Sequence, residues 1–308
     1  MMTNSKKSII TGAVAISISA ILWGLDGVIL TPQLYNLEVS FVVFILHAIP
    51  FLLMNVIFFK EYGYLKQFTK IDFTTLFLIS LFGGVIGTIA IVKALFLVNF
   101  QQLTVVVLLQ KLQPIFAISL AAILLKEKLY KNFIVWAGIA MISGYFMTFG
   151  WRLPNFETGS NTIYASLLAV LAAFSFGSST VFSKKILHKY DFKTATFYRY
   201  GMTTLIMLVV VFISGSFDQF MISTSQNWIY FLLIAFTTGS GAIVLYYYGL
   251  NKVTAIVATI CELFFPISAI ILDYFVHETR LSPVQWISAA IMILSIVKLN
   301  ASTVKNQS

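Results

Sequence analysis

Residues 250–270 read LNKVTAIVATICELFFPISAI, and residues 98–118 read VNFQQLTVVVLLQKLQPIFAI. Laid over one another without gaps, Asn99 meets Asn251, Gln110 meets Glu262, Pro114 meets Pro266 and Ala117 meets Ala269. In both stretches a long apolar run carries one polar group a helical turn before a proline, and an apolar half-helix follows. A short charged turn closes each, Lys126-Glu127-Lys128-Leu129 in one and Glu278-Thr279-Arg280-Leu281 in the other. Self-similarity of this kind is the mark of a duplicated chain.

The correspondence extends upstream. Trp23-Gly24 meets Phe176-Gly177, His47 meets Arg199, and Gly87 roughly meets Gly241. A polar linker at 151–161 divides the chain into residues 1–150 and 151–308.

Composition sets the solvent. Of 308 residues, 59% are hydrophobic and 10% are charged. Soluble domains carry roughly 25% charged residues, and a soluble fold built from this chain would expose large apolar patches. Ten runs are long enough to span a bilayer as helices: 9–30, 39–59, 73–97, 101–125, 132–150, 162–183, 194–214, 228–250, 253–275 and 282–299. Backbone groups in lipid must be satisfied within the segment, and the period-2 alternation of a barrel strand is absent, so the spans are helices. The apolar run after Lys6 and Lys7 continues to about residue 30, too long for the apolar core of a cleaved leader, and is read as the first span. Five spans per half is an odd number. The halves therefore cross in opposite senses, the inverted-repeat plan of alternating-access carriers, whose solute site lies near the midplane between the repeats.

The net charge of +9 admits a nucleic-acid reading only if the cations share one exposed face. They do not. Fifteen of the 20 Lys and Arg fall in every second inter-span segment, from Lys6 and Lys7 to Lys298 and Lys305, whereas the alternate segments hold only Arg152 and Arg280. Such a bias places both termini in the cytoplasm of a multi-pass inner-membrane protein. Trp151, Trp228 and Trp286 then stand at the outer interface.

Enzyme chemistry finds no footing. Cys261 is the single cysteine, and His47, His188 and His277 share no metal-ligand spacing. There is no Gly-rich phosphate loop and no G-x-S-x-G. No cofactor, metal or catalytic residue is expected.

Ionisable groups inside spans are costly and mark cavities or partners. Glu262, mid-membrane, is a candidate proton or solute site, or a structural carboxylate paired with a base. Gln110 and Gln113, three apart, share a face beside Pro114, with Lys111 turned away. The set is read as a cavity wall or as a clamp in which Lys111 meets Glu262. Pro114 and Pro266 each remove a backbone donor and bend their helices. Arg199, near a span end, can snorkel. His47 is a titratable or a packing residue. Asp26 and Lys93 pair as an outer gate or sit at the aqueous edge. Tyr247, within Tyr246-Tyr247-Tyr248, is a candidate cavity hydroxyl, and part of that run must simply pack. Ala165, Ala169, Ala173 and Gly177 form a small-residue stripe for close helix approach.

These features together resemble the EamA family of the drug/metabolite transporter superfamily, with two EamA repeats. Trp23-Gly24, Leu109 to Pro114 leading to Lys126-Glu127-Lys128-Leu129, Glu262-Leu263-Phe264-Phe265-Pro266 leading to Glu278-Thr279-Arg280-Leu281-Ser282-Pro283, and Arg199 carry the resemblance across about residues 9–299. His47 stands where the first repeat of the family has arginine, and Glu262 lies four residues before its proline rather than beside it. The resemblance implies ten helices, cytoplasmic termini, a central cavity, and transport of amino acids, other metabolites or drugs.

The expected function is thus secondary transport of a small polar metabolite, an amino acid or related solute, by alternating access, with export as the direction. Lys93, Lys111 and Arg199 beside Glu262 and Asp26 suit a zwitterion. Alternatives are a passive facilitator or channel, a multidrug efflux carrier and, further off, a lipid enzyme, which lacks a nucleophile–base set. The partners are the bilayer and a small solute, with no nucleic acid, and the oligomer is a monomer or homodimer.

Overall fold

The computed structural model describes residues 2–98, 106, 109–128, 131–151, 160–276 and 282–307. All regular structure among them is helical. The longer α-helices are α1 (Met2–Leu25), α2 (Val39–Ile57), α3 (Lys70–Ile79), α4 (Gly87–Leu97), α5 (Gln113–Leu124), α6 (Lys131–Phe149), α7 (Ser160–Leu187), α8 (Phe192–Ser214), α9 (Ser225–Ile234), α10 (Ser240–Lys252), α11 (Ala255–Cys261), α12 (Phe264–Val276) and α13 (Pro283–Gln307).

Seven stretches among the described residues are long and apolar enough to cross a membrane: Lys6–Leu34, Val39–Ile57, Lys70–Leu97, Ile163–Leu187, Phe192–Ser214, Ser225–Lys252 and Ala255–Val276. They coincide with seven of the expected spans. The expected spans 132–150 and 282–299 correspond to α6 and α13, and the second half of 101–125 to α5. Most of the first half of that span lies outside the described residues. The protein is therefore a multi-pass helical membrane protein. Large side chains such as Leu52, Val56, Phe212 and Ile213 lie exposed on its outside, where hydrocarbon is their solvent.

Two spans are built to one local plan. α3 opens on a capping box in which Thr69 Oγ1 accepts from the Asp72 amide at 3.3 Å and Asp72 Oδ2 accepts from the Thr69 amide at 2.8 Å. α9 opens on the same box, Thr224 with Asn227, at 3.2 and 3.0 Å. After each, a π-helical turn (Ser80–Ile86, Ala235–Gly239) precedes α4 and α10. The capping side chains also reach across the halves. Asp72 Oδ2 accepts from Lys189 Nζ at 2.5 Å and the Tyr190 hydroxyl at 3.0 Å, just after α7. Asn227 Nδ2 donates to Gln33 O at 3.2 Å and Asn36 Oδ1 at 3.0 Å, between α1 and α2. Helix direction puts these two junctions at opposite ends of the bundle. The Asp72 end carries Lys60, Lys66, Lys126, Lys128, Lys185 and Lys252, in helix ends and connecting turns, and is called the lysine-rich end below.

The small-residue stripe of α7 works as packing. Ala165, Ala169 and Ala173 have no exposed surface, and Gly177 meets the backbone of α5. At the linker, only Trp151 and the residues from Ser160 onward are described.

Candidate functional site

The site is made by two broken helices. α11 ends at Cys261, Glu262 and Leu263 form a turn, and α12 begins at Phe264. Lys111 and Leu112 form the equivalent turn before α5. Both prolines sit in the first turn of the second half-helix, where their missing N–H leaves no intrahelical bond unmade. At the expected proline bends the α-helical ladder is thus interrupted by a tight turn whose bonds, such as Leu263 N to Ile260 O and Ile115 N to Leu112 O, run three residues back. Glycines hold the two breaks against neighbouring helices. An added Cβ at Gly24 would lie 2.9 Å from Ala269 N and 3.0 Å from Phe265 O, and one at Gly177 would lie 3.0 Å from both Ala117 N and Gln113 O. The Trp-Gly and Phe-Gly pairs are therefore the points where α1 and α7 touch the backbone of α12 and α5.

Glu262 occupies the break and is half-buried. Its Oε1 accepts from the Tyr246 hydroxyl at 2.6 Å, and its Oε2 accepts from Gln113 Nε2. Tyr246 also bonds Thr180 Oγ1 at 2.8 Å, and its ring lies 5.3 Å from that of Trp23, tilted by 53°. Beside this group Tyr247 bonds Ser183 at 2.7 Å and accepts from Arg199 Nη1 at 3.1 Å. Arg199 Nη2 donates to Gly83 O at 3.2 Å, within the π turn, and the guanidinium stands 5.6 Å from the Tyr247 ring centroid.

Several expectations change here. Arg199 does not snorkel; it is buried at 8% exposure beneath Tyr247. Lys111 makes no clamp with Glu262, because its Nζ donates to Gly144 O at 2.9 Å. Asp26 and Lys93 do not pair. Asp26 accepts from Thr31 at 3.1 Å and Thr238 at 3.0 Å, fastening α1 to the π turn before α10, while Lys93 is exposed. Among the described residues the ion pair is Lys189–Asp72, outside the site. His47 is buried against Tyr200, its Nδ1 2.8 Å from Val43 O, as a packing histidine would be. Gln110 is half-buried immediately before its break, but Gln113 is the glutamine that meets Glu262. Tyr247 is buried as a bonded hydroxyl, yet its neighbour Tyr246 reaches the carboxylate. Tyr248 packs on Phe192, with Lys252 Nζ 4.5 Å from its ring centroid.

Sequence reasoning missed Thr180 and Ser183. They continue the small-residue face of α7 toward the lysine-rich end, and hydroxyls at that helical spacing were the available signal. A separate cavity of about 460 Å³, lined by Phe73, Thr74, Phe77, Met202, Leu205 and Ile206, opens on the apolar exterior. With Leu205 61% exposed, it is a lipid-facing groove remote from the polar groups.

Comparison with known proteins matches the chain to a family. The profile of the EamA-like transporter family matches residues 10–149 and again 163–301. A curated relative, "Riboflavin transporter ImpX" of Fusobacterium nucleatum subsp. nucleatum (strain ATCC 23726 / VPI 4351), is 53% identical over 292 residues, 94% of this chain and 98% of the relative. A solved crystal structure of a protein 13% identical in sequence superposes with a TM-score of 0.64 over 96% of each chain, a likeness of fold alone. A transporter, not an enzyme, is what these likenesses indicate. The chain belongs to the EamA-like transporter family.

Proposed function

We propose that this protein carries riboflavin, or a solute with the same flavin ring, across the cytoplasmic membrane by alternating access. The observation that carries the substrate is the 53% identity to a riboflavin transporter along nearly the whole of both chains. The site chemistry supports it. Part-exposed Trp23 supplies an aromatic face for a flat heterocycle, and the part-exposed pair Glu262 and Gln113, bonded to one another, supplies a carboxylate and an amide at which its polar edge can exchange hydrogen bonds. The zwitterion reading relied on cations facing the solute. Arg199 is engaged by Tyr247 and Gly83, Lys111 by Gly144, and Lys93 is exposed, so an amino-acid carboxylate has a poorer claim on this site.

The rest of the proposal follows the sequence: ten spans, two inverted five-helix repeats at 1–150 and 151–308, and both termini in the cytoplasm. The matching capping boxes, π turns and broken helices support that inverted plan. Glu262 is the proposed proton-coupling group, there being no nucleotide-binding motif to power the cycle.

Flavin fluorescence tests this directly. Titration of riboflavin with the detergent-purified protein should give saturable quenching. Trp23→Ala should weaken binding by about 1–3 kcal/mol, roughly 5- to 150-fold, the range for losing an aromatic stacking partner. Glu262→Gln should leave binding measurable but abolish the response of transport to a pH gradient in liposomes. Saturable transport of amino acids with no riboflavin binding would overturn the substrate assignment.

A further inference from the structure

We propose that Glu127 and Lys184 clamp the turn between α10 and α11, sealing the solute path at the lysine-rich end, and that both must let go for the site to open there. The inference rests on the alternating-access reading, though not on the identity of the solute.

α10 ends at Lys252 and α11 begins at Ala255, so a tight turn brings the last carbonyls of one helix beside the first amides of the next. These backbone groups have no intrahelical partners. Two side chains from elsewhere satisfy them, each with the appropriate charge. Lys184, in the last turn of α7, donates from Nζ to Leu250 O at 2.9 Å and to Asn251 O at 3.4 Å. Glu127, in the turn after α5, accepts the Ala255 amide at 2.9 Å on Oε1 and the Ile256 amide at 3.0 Å on Oε2. Lys184 is buried at 7% exposure, unusual for a lysine this close to a helix end.

What lies on each side of the turn gives the clamp its meaning. All seven residues of α11 are buried, as are Val253, Tyr246, Tyr247, Thr180 and Ser183. On the far side of the break, Glu262, Gln113, Lys111, Trp23 and Asp26 are all part-exposed. The polar site is thus covered from the lysine-rich end and less covered from the other. When the halves are overlaid through Trp23-Gly24 and Phe176-Gly177, Lys184 falls on Thr31. Thr31 turns its hydroxyl to Asp26 in its own segment, so at this position the opposite end has no cation bridging to another span. An inverted-repeat carrier opens its ends in turn, and the bonds of Glu127 and Lys184 are the ones that must break for the lysine-rich end to have its turn.

Cys261, the single cysteine, reports the event because it is the last, buried residue of α11. The rate of its modification by a water-soluble methanethiosulfonate is measured in the full-length protein, with no solute added, so the result does not depend on the flavin assignment. Glu127→Ala and Lys184→Met should each raise the rate roughly tenfold or more, the scale of losing one charge-assisted hydrogen bond. The gel-filtration profile and melting curve should stay those of a folded protein. An unchanged rate in a folded variant would overturn the proposal and leave the pair as static caps. Should a variant not fold, the wild type supplies the test through hydrogen exchange. A gate exchanges its amides at 253–261 by local opening, faster than the equally buried α8 segment 194–201. Equal protection of the two segments would also overturn it.

Discussion

The closest approach in the site is Gly24 against the start of α12, and filling it tests the architecture. In Gly24→Ala the new Cβ would lie 2.0 Å from Ser268 Oγ, 2.9 Å from Ala269 N and 3.0 Å from Phe265 O. Ser268 cannot swing aside freely, since its hydroxyl donates to Phe265 O at 2.9 Å. Overpacking of this kind costs about 1–3 kcal/mol. Alanine regains up to about 1 kcal/mol of helix propensity over glycine, and the 2.0 Å overlap places the strain at the upper end of that range, so the net loss is about 2 kcal/mol. Gly177→Ala is the internal control. Its nearest neighbours, Ala117 N and Gln113 O at 3.0 Å and Phe116 Cβ at 3.2 Å, need give only a few tenths of an ångström, so the propensity gain should nearly cancel the strain. Ser268→Ala removes the atom at 2.0 Å, so Gly24→Ala/Ser268→Ala should recover about half of the loss, a coupling that a double-mutant cycle isolates. Reversible unfolding in mixed SDS micelles measures all four variants, and riboflavin binding follows whether the break moves. Equal stability of wild type and Gly24→Ala, or the same loss with and without Ser268, would refute the reasoning.

Two further outcomes follow from the same coordinates. The bond from Lys189 to the Asp72 carboxylate, then that to Tyr190, hold the Lys189 ammonium above its ordinary value of 10.5. A raised folded-state pKa gives stability that is complete below the unfolded value and lost as the pH climbs through the folded one. The melting-temperature difference between wild type and Lys189→Met should therefore be level up to about pH 10 and then shrink; a difference that stays level to the highest pH would refute the link. Lys111→Met should lower stability by about 0.6–1.7 kcal/mol, the range for a hydrogen bond between membrane helices, and leave riboflavin affinity within about twofold. Lost binding at unchanged stability would put Lys111 among the solute contacts.

The overlay of residues 98–118 on 250–270 made the two proline positions legible as bends, because a proline after a polar residue at matching depth is a strong signal in an apolar run, but not that the helices are interrupted there. It did not reveal which glutamine meets Glu262. Helical spacing assumes an unbroken helix, and the turn at Lys111–Leu112 resets the direction of every side chain after it, bringing Gln113 rather than Gln110 to the carboxylate. Arg199 was misjudged for a related reason. Its distance from a span end suggested an exit to water, but the π turn Ser80–Ile86 places the Gly83 carbonyl where Arg199 can use it. Nothing in the local composition Ser80-Leu81-Phe82-Gly83-Gly84 distinguishes a π turn from an ordinary glycine-containing helix. Tyr246 and Thr180 escaped because their bond spans 66 positions of sequence, beyond the reach of any periodicity argument.

The placement of bonds between spans separates fulcrum from gate. α2 and α8 are fastened at both ends. At the lysine-rich end Thr194 Oγ1 donates to Glu61 at 2.6 Å and the Tyr198 hydroxyl to Glu61 O at 2.8 Å. At the other, Ser40 bonds Ser216 at 2.9 Å, and the Glu38 amide donates to Gln219 at 3.1 Å. A helix pair pinned at both ends can tilt but cannot part, which suits an axis of rotation. α7 and α10 are joined differently. Their side-chain bonds, Thr180–Tyr246, Ser183–Tyr247 and Lys184 to Leu250 and Asn251, run in sequence from the level of Glu262 toward the lysine-rich end. Bonds placed on one side of the site close that side only, and they can open in order, like a zip that starts at the Lys184 end and finishes at the carboxylate. On the proposed reading, in which the solute meets Glu262, the hydroxyls of Tyr246 and Thr180 would connect that solute to the last bond of the proposed gate.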